Sequence, residues 1–256
     1  MQQGARVMAD PIPPARNIGE EVAVVTTCLV DQLRPDIGDA VLRLLRRHGY
    51  RPIRVRGAMC CGQPAWNTGL TSSARRVARP TLAAVAGTTG PVVVPSGSCA
   101  TMMREFWPDL FRNTPEEALA IAVARRVTEL SAFLARQAVP QRDGVGAERV
   151  AYHDSCHMLR ELGIHEAPRR LLAASGIDVV DIAGAELCCG FGGTFAVKLP
   201  EISIAMADEK LDAVVAAGVR RVVGCDYSCL LHLQGRAERR GLDIQTVHLA
   251  EVLESA

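Results

Sequence analysis

Nine cysteines punctuate the 256-residue chain, and eight of them fall into two sets of nearly the same spacing. Cys28 is followed after 31 intervening residues by the pair Cys60-Cys61, and Cys156 after the same 31 by Cys188-Cys189. Each pair runs into a glycine, Gly62 or Gly190, and each set closes on a fourth thiol, Cys99 or Cys229. Four thiolates gathered in one place can hold zinc or an iron–sulfur cluster. Adjacent cysteines suit one small ion poorly, since a chelate loop such as C-x2-C is what spans a tetrahedral edge; on a cluster they can bind different irons. The pattern therefore favours one iron–sulfur centre per set, with zinc as the alternative. Buried inert thiols fit a lone cysteine well and a repeated set of four badly.

The surrounding sequence repeats with the thiols. Glu21-Val22-Ala23-Val24-Val25 before Cys28 parallels Arg149-Val150-Ala151-Tyr152-His153 before Cys156, and Pro91-Val92-Val93-Val94 before Cys99 parallels Arg221-Val222-Val223-Gly224 before Cys229. The offset is 128 residues for the first three cysteines and 130 for the last. The stretches 127–134 and 246–253 also resemble each other, so two copies of one unit account for nearly the whole chain. The division expected is a flexible leader or expression remnant over 1–20, a first repeat over 21–137, a linker over 138–148 marked by Pro140, Gly144 and Gly146, and a second repeat over 149–256.

Short β-branched runs alternate with longer segments of helical period. Strands are expected near 22–26, 51–55, 91–94, 149–153, 178–182 and 220–224, and helices near 36–48, 71–86, 165–174 and 201–217. This alternation predicts an α/β fold of βαβ units with mostly parallel sheets. Every cysteine group then falls just after a strand, at the carboxyl end where open α/β sheets gather ligands. The expected architecture is two tandem repeated Rossmann-like βαβ units related by a pseudo-twofold, with both thiol sites near their interface. Gly62, Gly97, Gly190, Gly192 and Gly193 would let backbone N–H groups approach anionic sulfur or another bound group.

Composition narrows the function. The 29 Lys and Arg nearly balance 28 Asp and Glu, and aromatic residues make up 4%, so there is no global basic field to gather nucleic acid and there are few stacking platforms for it. No apolar run approaches the roughly 18 residues of a membrane span, and residues 1–20 lack the apolar stretch of a secretory signal. A cytoplasmic protein is expected, and reduced cytosolic thiols point to metal or redox chemistry before disulfides. No flavin or nicotinamide motif is present, so hydride chemistry would need the clusters or a partner's cofactor.

The two Cys…Cys-Cys-Gly…Cys copies resemble the cysteine-rich CCG domain found in pairs in heterodisulfide reductases and in the iron–sulfur subunits of glycolate and glycerol-3-phosphate oxidoreductases. More specifically, Thr27-Cys28-Leu29-Val30-Asp31, Cys60-Cys61-Gly62-Gln63-Pro64-Ala65, Pro95-Ser96-Gly97-Ser98-Cys99, Tyr152-His153-Asp154-Ser155-Cys156-His157 and Cys188-Cys189-Gly190-Phe191-Gly192-Gly193-Thr194-Phe195 are similar to the lactate utilisation protein A family. That resemblance implies an iron–sulfur oxidoreductase subunit, with [4Fe-4S] clusters, in a cytosolic complex that oxidises L-lactate to pyruvate with lactate utilisation proteins B and C. The alternatives are an electron-transfer module of another 2-hydroxy acid or heterodisulfide-type oxidoreductase, without its own substrate site, and a zinc-stabilised binding protein. The family pattern ends in C-x-x-C, whereas here one copy has Cys99 alone and the other has Cys225 and Cys229 spaced by three residues. Cys225 aligns with Pro95 and reads as a small core residue, or otherwise as a fifth ligand.

His153 and His157 flank Cys156, and two readings stand side by side for them. They act at the metal site, as donors to sulfur or as catalytic proton carriers, or they are structural histidines at a strand end. His48, His165 and His232 are expected on helix surfaces, and His248, which aligns with Glu129, is expected to share no role with it. The Phe191-Gly192-Gly193-Thr194 turn with Lys198 could hold a substrate carboxylate, though such turns are more often simply tight bends.

Overall fold

A computed structural model of the chain describes residues 19–137 and 148–256. The leader expected over 1–20 lies outside these residues except for its last two, and the linker over 138–148 lies outside them except for Glu148.

Two four-stranded parallel sheets form the frame. The first contains β1 (Glu21–Val24), β2 (Arg51–Arg54), β3 (Val92–Val94) and β4 (Val127–Glu129) in the order β2-β1-β3-β4. The second contains β5 (Arg149–His153), β6 (Asp178–Val180), β7 (Arg221–Gly224) and β8 (Gln245–His248) in the order β6-β5-β7-β8. Equivalent residues pair in the two sheets, Ala23 with Val92 and Ala151 with Val222. The fold is α/β in two repeated units, as the alternation of short apolar runs and helical segments indicates. Helices Pro35–Arg47, Thr71–Ala86, Glu166–Ala174 and Pro200–Ala216 lie within a residue of their expected positions. None of the helices among the described residues is long and apolar enough to cross a membrane.

Strand alternation sorts the core into three layers. Val22, Val24, Val93, Val150, Tyr152 and Val223 face a central core common to both halves, whereas Ala23, Val25, Val92 and Val94 face an outer core of the first half. Ala151 and Val222 face the outer core of the second. This is the period of two that a strand imposes when both faces of a sheet are covered.

The central layer is built reciprocally. Helix Leu249–Ser255, at the end of the second half, packs on Pro35–Arg47 of the first, and Leu130–Leu134, at the end of the first, packs on Glu166–Ala174 of the second. The amphipathic helix Pro35–Arg47 shows why: Pro35 suits a first helical turn, where its missing N–H costs nothing, and Ile37, Val41, Leu44 and Leu45 make one buried face. Such reciprocal packing is what a pseudo-twofold requires. Burying each large apolar side chain of this layer, Leu44, Leu45 or Phe133 for example, contributes roughly 1.5–3 kcal/mol.

Candidate metal centres

In a sheet ordered β2-β1-β3-β4 the chain winds in opposite directions from β1 and β3, which opens a crevice beyond their carboxyl ends. Cys28 follows β1 and begins helix Cys28–Leu33, and Cys99 follows β3 inside helix Gly97–Thr101. The second half repeats the arrangement, with Cys156 beginning Cys156–Leu162 after β5 and Cys229 in the first turn of Tyr227–Arg239 after β7. Helix starts present free N–H groups and the positive end of the dipole, both of which favour a thiolate.

These helices also bring the two sets face to face. Gly97–Thr101 packs on Cys156–Leu162, and Cys28–Leu33 on Tyr227–Arg239. The first contact depends on Gly97, where a Cβ would lie 2.5 Å from Met158 Cβ and 3.2 Å from Ser155 Oγ. All eight paired-set cysteines thereby line one cleft of about 140 Å3, together with His157, Asp226, Gly192 and Gly193. One water needs only about 10–15 Å3, so the cleft has room for a small group.

Within each set the sulfurs touch. Cys61 Sγ lies 3.4 Å from Cys99 Sγ, and Cys156 Sγ lies 3.9 Å from Cys188 Sγ. Hydrogen bonds from Cys28 and Cys61 pull Cys60 down to about 3, and the same bonds, with burial, push Cys28 and Cys61 up. In the second set, bonds from Cys156 and Cys189 pull Cys188 down to about 2, and the bond from Cys189 brings Cys229 to about 7. Cys156 and Cys189 are pushed up by their bonds to Cys188 and by burial. Each set therefore stabilises a thiolate chiefly through the protons its neighbours keep, with a glycine N–H assisting. Full ionisation would crowd like charges together, and a bound cation is the means by which protein sites achieve it.

The loops are shaped around the sulfurs. Gly62 N–H donates to Cys60 Sγ and Gly190 N–H to Cys188 Sγ, both at 3.4 Å, and Phe191 N–H reaches Cys189 Sγ at 3.5 Å. Gly62 and Gly190 adopt φ of 93° and 89°, and a Cβ would meet Ala74 O at 2.8 Å in one half and Ser203 O at 2.5 Å in the other. Thr81 Oγ1 holds the Cys60 carbonyl, and Trp107 Nε1 the Cys61 carbonyl, each at 2.9 Å. Sulfur donors in fours, supported by N–H groups aimed at sulfur, are a donor set that fits a soft metal or an iron–sulfur cluster.

The histidines separate in space. His157 lines the cleft, with Nδ1 3.7 Å from Cys156 Sγ. His153 is buried behind Cys189 and Cys229, with ligand atoms of all three within 4.8 Å of one another. Gly192 and Gly193 line the cleft too, but Gly193 packs on Pro64 of the other half, and Lys198 is exposed away from the lining. Cys225 is sealed in the central core beside the Tyr152 hydroxyl, 3.1 Å away.

The expectations for three outlying histidines give way. His48 is half-buried, its Nδ1 3.1 Å from Gln137 Oε1. His232 is half-buried as well, its Nε2 3.2 Å from Ser203 Oγ, because the helix face carrying it packs on Pro200–Ala216. His248 does share a role with Glu129, since each ends the fourth strand of its half and caps the helix that follows. Asp226, which motif reasoning passed over, is the group that joins the sets: Ser98 N–H, Ser155 Oγ and Ser228 Oγ all donate to it. Its place one residue before a helix and three before Cys229 is the signal that could have marked it.

The cysteine-rich CCG domain family matches the chain twice, over residues 22–104 and 150–234. Lactate utilization protein A of Geobacillus kaustophilus (strain HTA426) is 41% identical over 240 residues, which are 92% of this chain and 99% of that protein. The proteins of that name from Exiguobacterium sp. (strain ATCC BAA-1283 / AT1b) and Shouchella clausii (strain KSM-K16) are each 40% identical over 91% of this chain, and over 96% and 98% of their own lengths. Among solved structures, a hypothetical protein from Helicobacter pylori is similar with a TM-score of 0.65 and 7% identity over 94% of this chain. The match covers 51% of that protein, so the chain spans about half its length, and the likeness concerns the fold alone.

Proposed function

The chain belongs to the lactate utilization protein A family and contains two copies of the cysteine-rich CCG domain, and from that premise we propose that it is the iron–sulfur electron-handling subunit of a system that oxidises L-lactate to pyruvate. One centre is held by Cys28, Cys60, Cys61 and Cys99, the other by Cys156, Cys188, Cys189 and Cys229. The observation that carries this reading is the common cleft: both sets of four thiols open into one cavity between the halves. Structural zinc sites are closed and need no shared opening, whereas redox centres that exchange electrons gain from proximity and access.

Oxidation of lactate removes the C2 hydrogen and the hydroxyl hydrogen, releasing two electrons and two protons. Bound clusters supply one-electron acceptance and transfer. The protein holds them on rigid strand ends and directs N–H groups at sulfur. No Lys or Arg lines the cleft among the described residues, so no side-chain cation awaits the lactate carboxylate. This supports a relay in which substrate is oxidised with the help of partners, lactate utilisation proteins B and C on the family resemblance. If substrate entered the cleft, His157 would be the residue placed to take its hydroxyl proton.

The test is reduction of the anaerobically prepared chain by L-lactate, followed by its visible absorbance. The relay predicts no bleaching of the chain alone and bleaching when the two partners are added. Bleaching by lactate alone would move the oxidation onto this chain.

One observation favours zinc as the second reading. Zinc–sulfur bonds of about 2.3 Å set sulfurs about 3.8 Å apart on a tetrahedron, and the separations of 3.4 and 3.9 Å lie near that edge. A zinc-bound chain would be a binding protein whose metal only stabilises the fold.

A further inference from the structure

Val25 and His153 are equivalent by the 128-residue offset, and chemically they are unlike. Val25 packs in the outer core of the first half beside Cys61. His153 takes the corresponding place in the second half at 1% exposure, and neither Nδ1 nor Nε2 makes a hydrogen bond of ordinary geometry, while the ring acts on the neighbouring Cys229 thiol. A buried imidazole without well-formed hydrogen bonds is costly, and native structures usually satisfy one with a ligand, a water or a metal. Here the ring approaches two sulfurs: ligand atoms of His153, Cys189 and Cys229 lie within 4.8 Å of one another, and all three residues are buried.

The neighbouring strand is adapted to the ring. Gly224 pairs with His153 in the sheet, and the first half has Val94 at the corresponding position. A Cβ at Gly224 would meet Leu230 Cδ2 at 3.2 Å and touch His153 Cβ at 3.7 Å, an ordinary contact, so glycine leaves the space beside His153 open. The exchange of Val25 and Val94 for His153 and Gly224 thus puts a nitrogen donor, with room to reach a metal, into one site only.

We propose that His153 donates a ring nitrogen to the metal of the second centre, beside Cys189 and Cys229. The chain then holds two centres of unlike donor set, sulfur alone in the first half and sulfur with imidazole in the second. The inference rests on the reading that the second set binds metal. Imidazole is neutral, so where it takes the place of a thiolate on an iron it removes negative charge and raises the reduction potential.

The test uses the full chain carrying Cys61→Ser, so that the second centre alone is loaded, prepared anaerobically with and without 15N-histidine. Metal analysis comes first. Pulsed EPR then reads nitrogen coupling on the reduced iron centre, or on cobalt(II) loaded as the probe where zinc is found. The expected result is a strong nitrogen coupling that changes character with labelled histidine and survives His157→Ala. It disappears in His153→Leu and in His153→Cys, the second of which keeps a ligand and retains its metal should the first fail to fold. With iron bound, His153→Cys also lowers the midpoint potential. Metal present without histidine coupling, or coupling that persists in His153→Cys, overturns the assignment and leaves the metal reading standing. A second set that binds neither metal overturns both.

Discussion

The backbone N–H of Ser98 donates to Asp226 Oδ2 at 2.7 Å, across the boundary between the two halves. Ser155 Oγ shares that oxygen at 3.1 Å, and Ser228 Oγ donates to Oδ1 at 2.8 Å. One buried carboxylate thus ties the loop carrying Cys99 to those carrying Cys156 and Cys229. Asp226→Ala leaves three donors without their acceptor and is expected to cost about 2–4 kcal/mol in chemical denaturation. Both centres should then release metal faster to a chelator. Faster release from the second centre alone would show that the Ser98 contact does not support the first.

The two sets should fail independently when a ligand is lost. Cys61→Ser is expected to remove metal from the first centre and to leave the second loaded, so that total metal falls to about half. Cys225→Ser should leave both loaded, because Cys225 lies in the central core and does not line the cleft. Its cost is in stability, about 1–3 kcal/mol for a hydroxyl in a place shaped for sulfur. Loss of both centres from Cys61→Ser would contradict two separate sites.

Gly62→Ala and Gly190→Ala form a matched pair. Each places a Cβ on a left-handed backbone and against a helix carbonyl, Ala74 O or Ser203 O. The expected cost is about 1–3 kcal/mol apiece, with metal occupancy reduced in the centre of the same half. Thermal unfolding and metal analysis read the two effects. Equal loss from both centres in either variant would show that the glycine acts on the whole fold.

His248 gives stability a pH dependence whose sign can be worked out. Its Nε2 donates to the carbonyls of Pro95 and Cys225, at 3.1 and 3.2 Å, and its Nδ1 accepts from Ala250 N–H. Burial pushes its pKa below the ordinary 6.5, so the folded chain keeps it neutral while the unfolded chain takes a proton. Its contribution is complete above 6.5 and lost as pH falls below that value, by up to about 1.4 kcal/mol per unit. Glu129 acts in the opposite sense. Burial raises its pKa, the folded state retains its proton, and its contribution declines as pH rises above the ordinary 4.5. Urea denaturation of the metal-free chain should show a shallower loss below pH 6.5 in His248→Asn, which can cap the helix without titrating. An unchanged slope in that variant would assign the acid sensitivity elsewhere.

Most of the framework was legible because its signals are local. The runs Val22-Ala23-Val24 and Val92-Val93-Val94 and the faces of Pro35–Arg47 announce strands and an amphipathic helix without tertiary information. The thiols were legible through repetition. β4 and β8 were not, since three or four residues with no clear alternation carry too little pattern, and only their place beside β3 and β7 makes them strands. The role of Asp226 needs three donors brought from separate loops, and the burial of His153 behind Cys189 and Cys229 needs the fold itself. Repeat alignment matched Glu129 with His248, yet a carboxyl and an imidazole that both cap a helix do so through different atoms, which residue type does not disclose.

Two iron–sulfur centres facing one cleft are tested most directly by anaerobic purification of the full chain, with iron, acid-labile sulfide and zinc measured on one sample and EPR recorded before and after reduction. Iron and sulfide are expected in both centres, with an EPR signal that responds to reduction and iron falling to about half in Cys61→Ser. Stoichiometric zinc without iron or sulfide would contradict the iron–sulfur assignment.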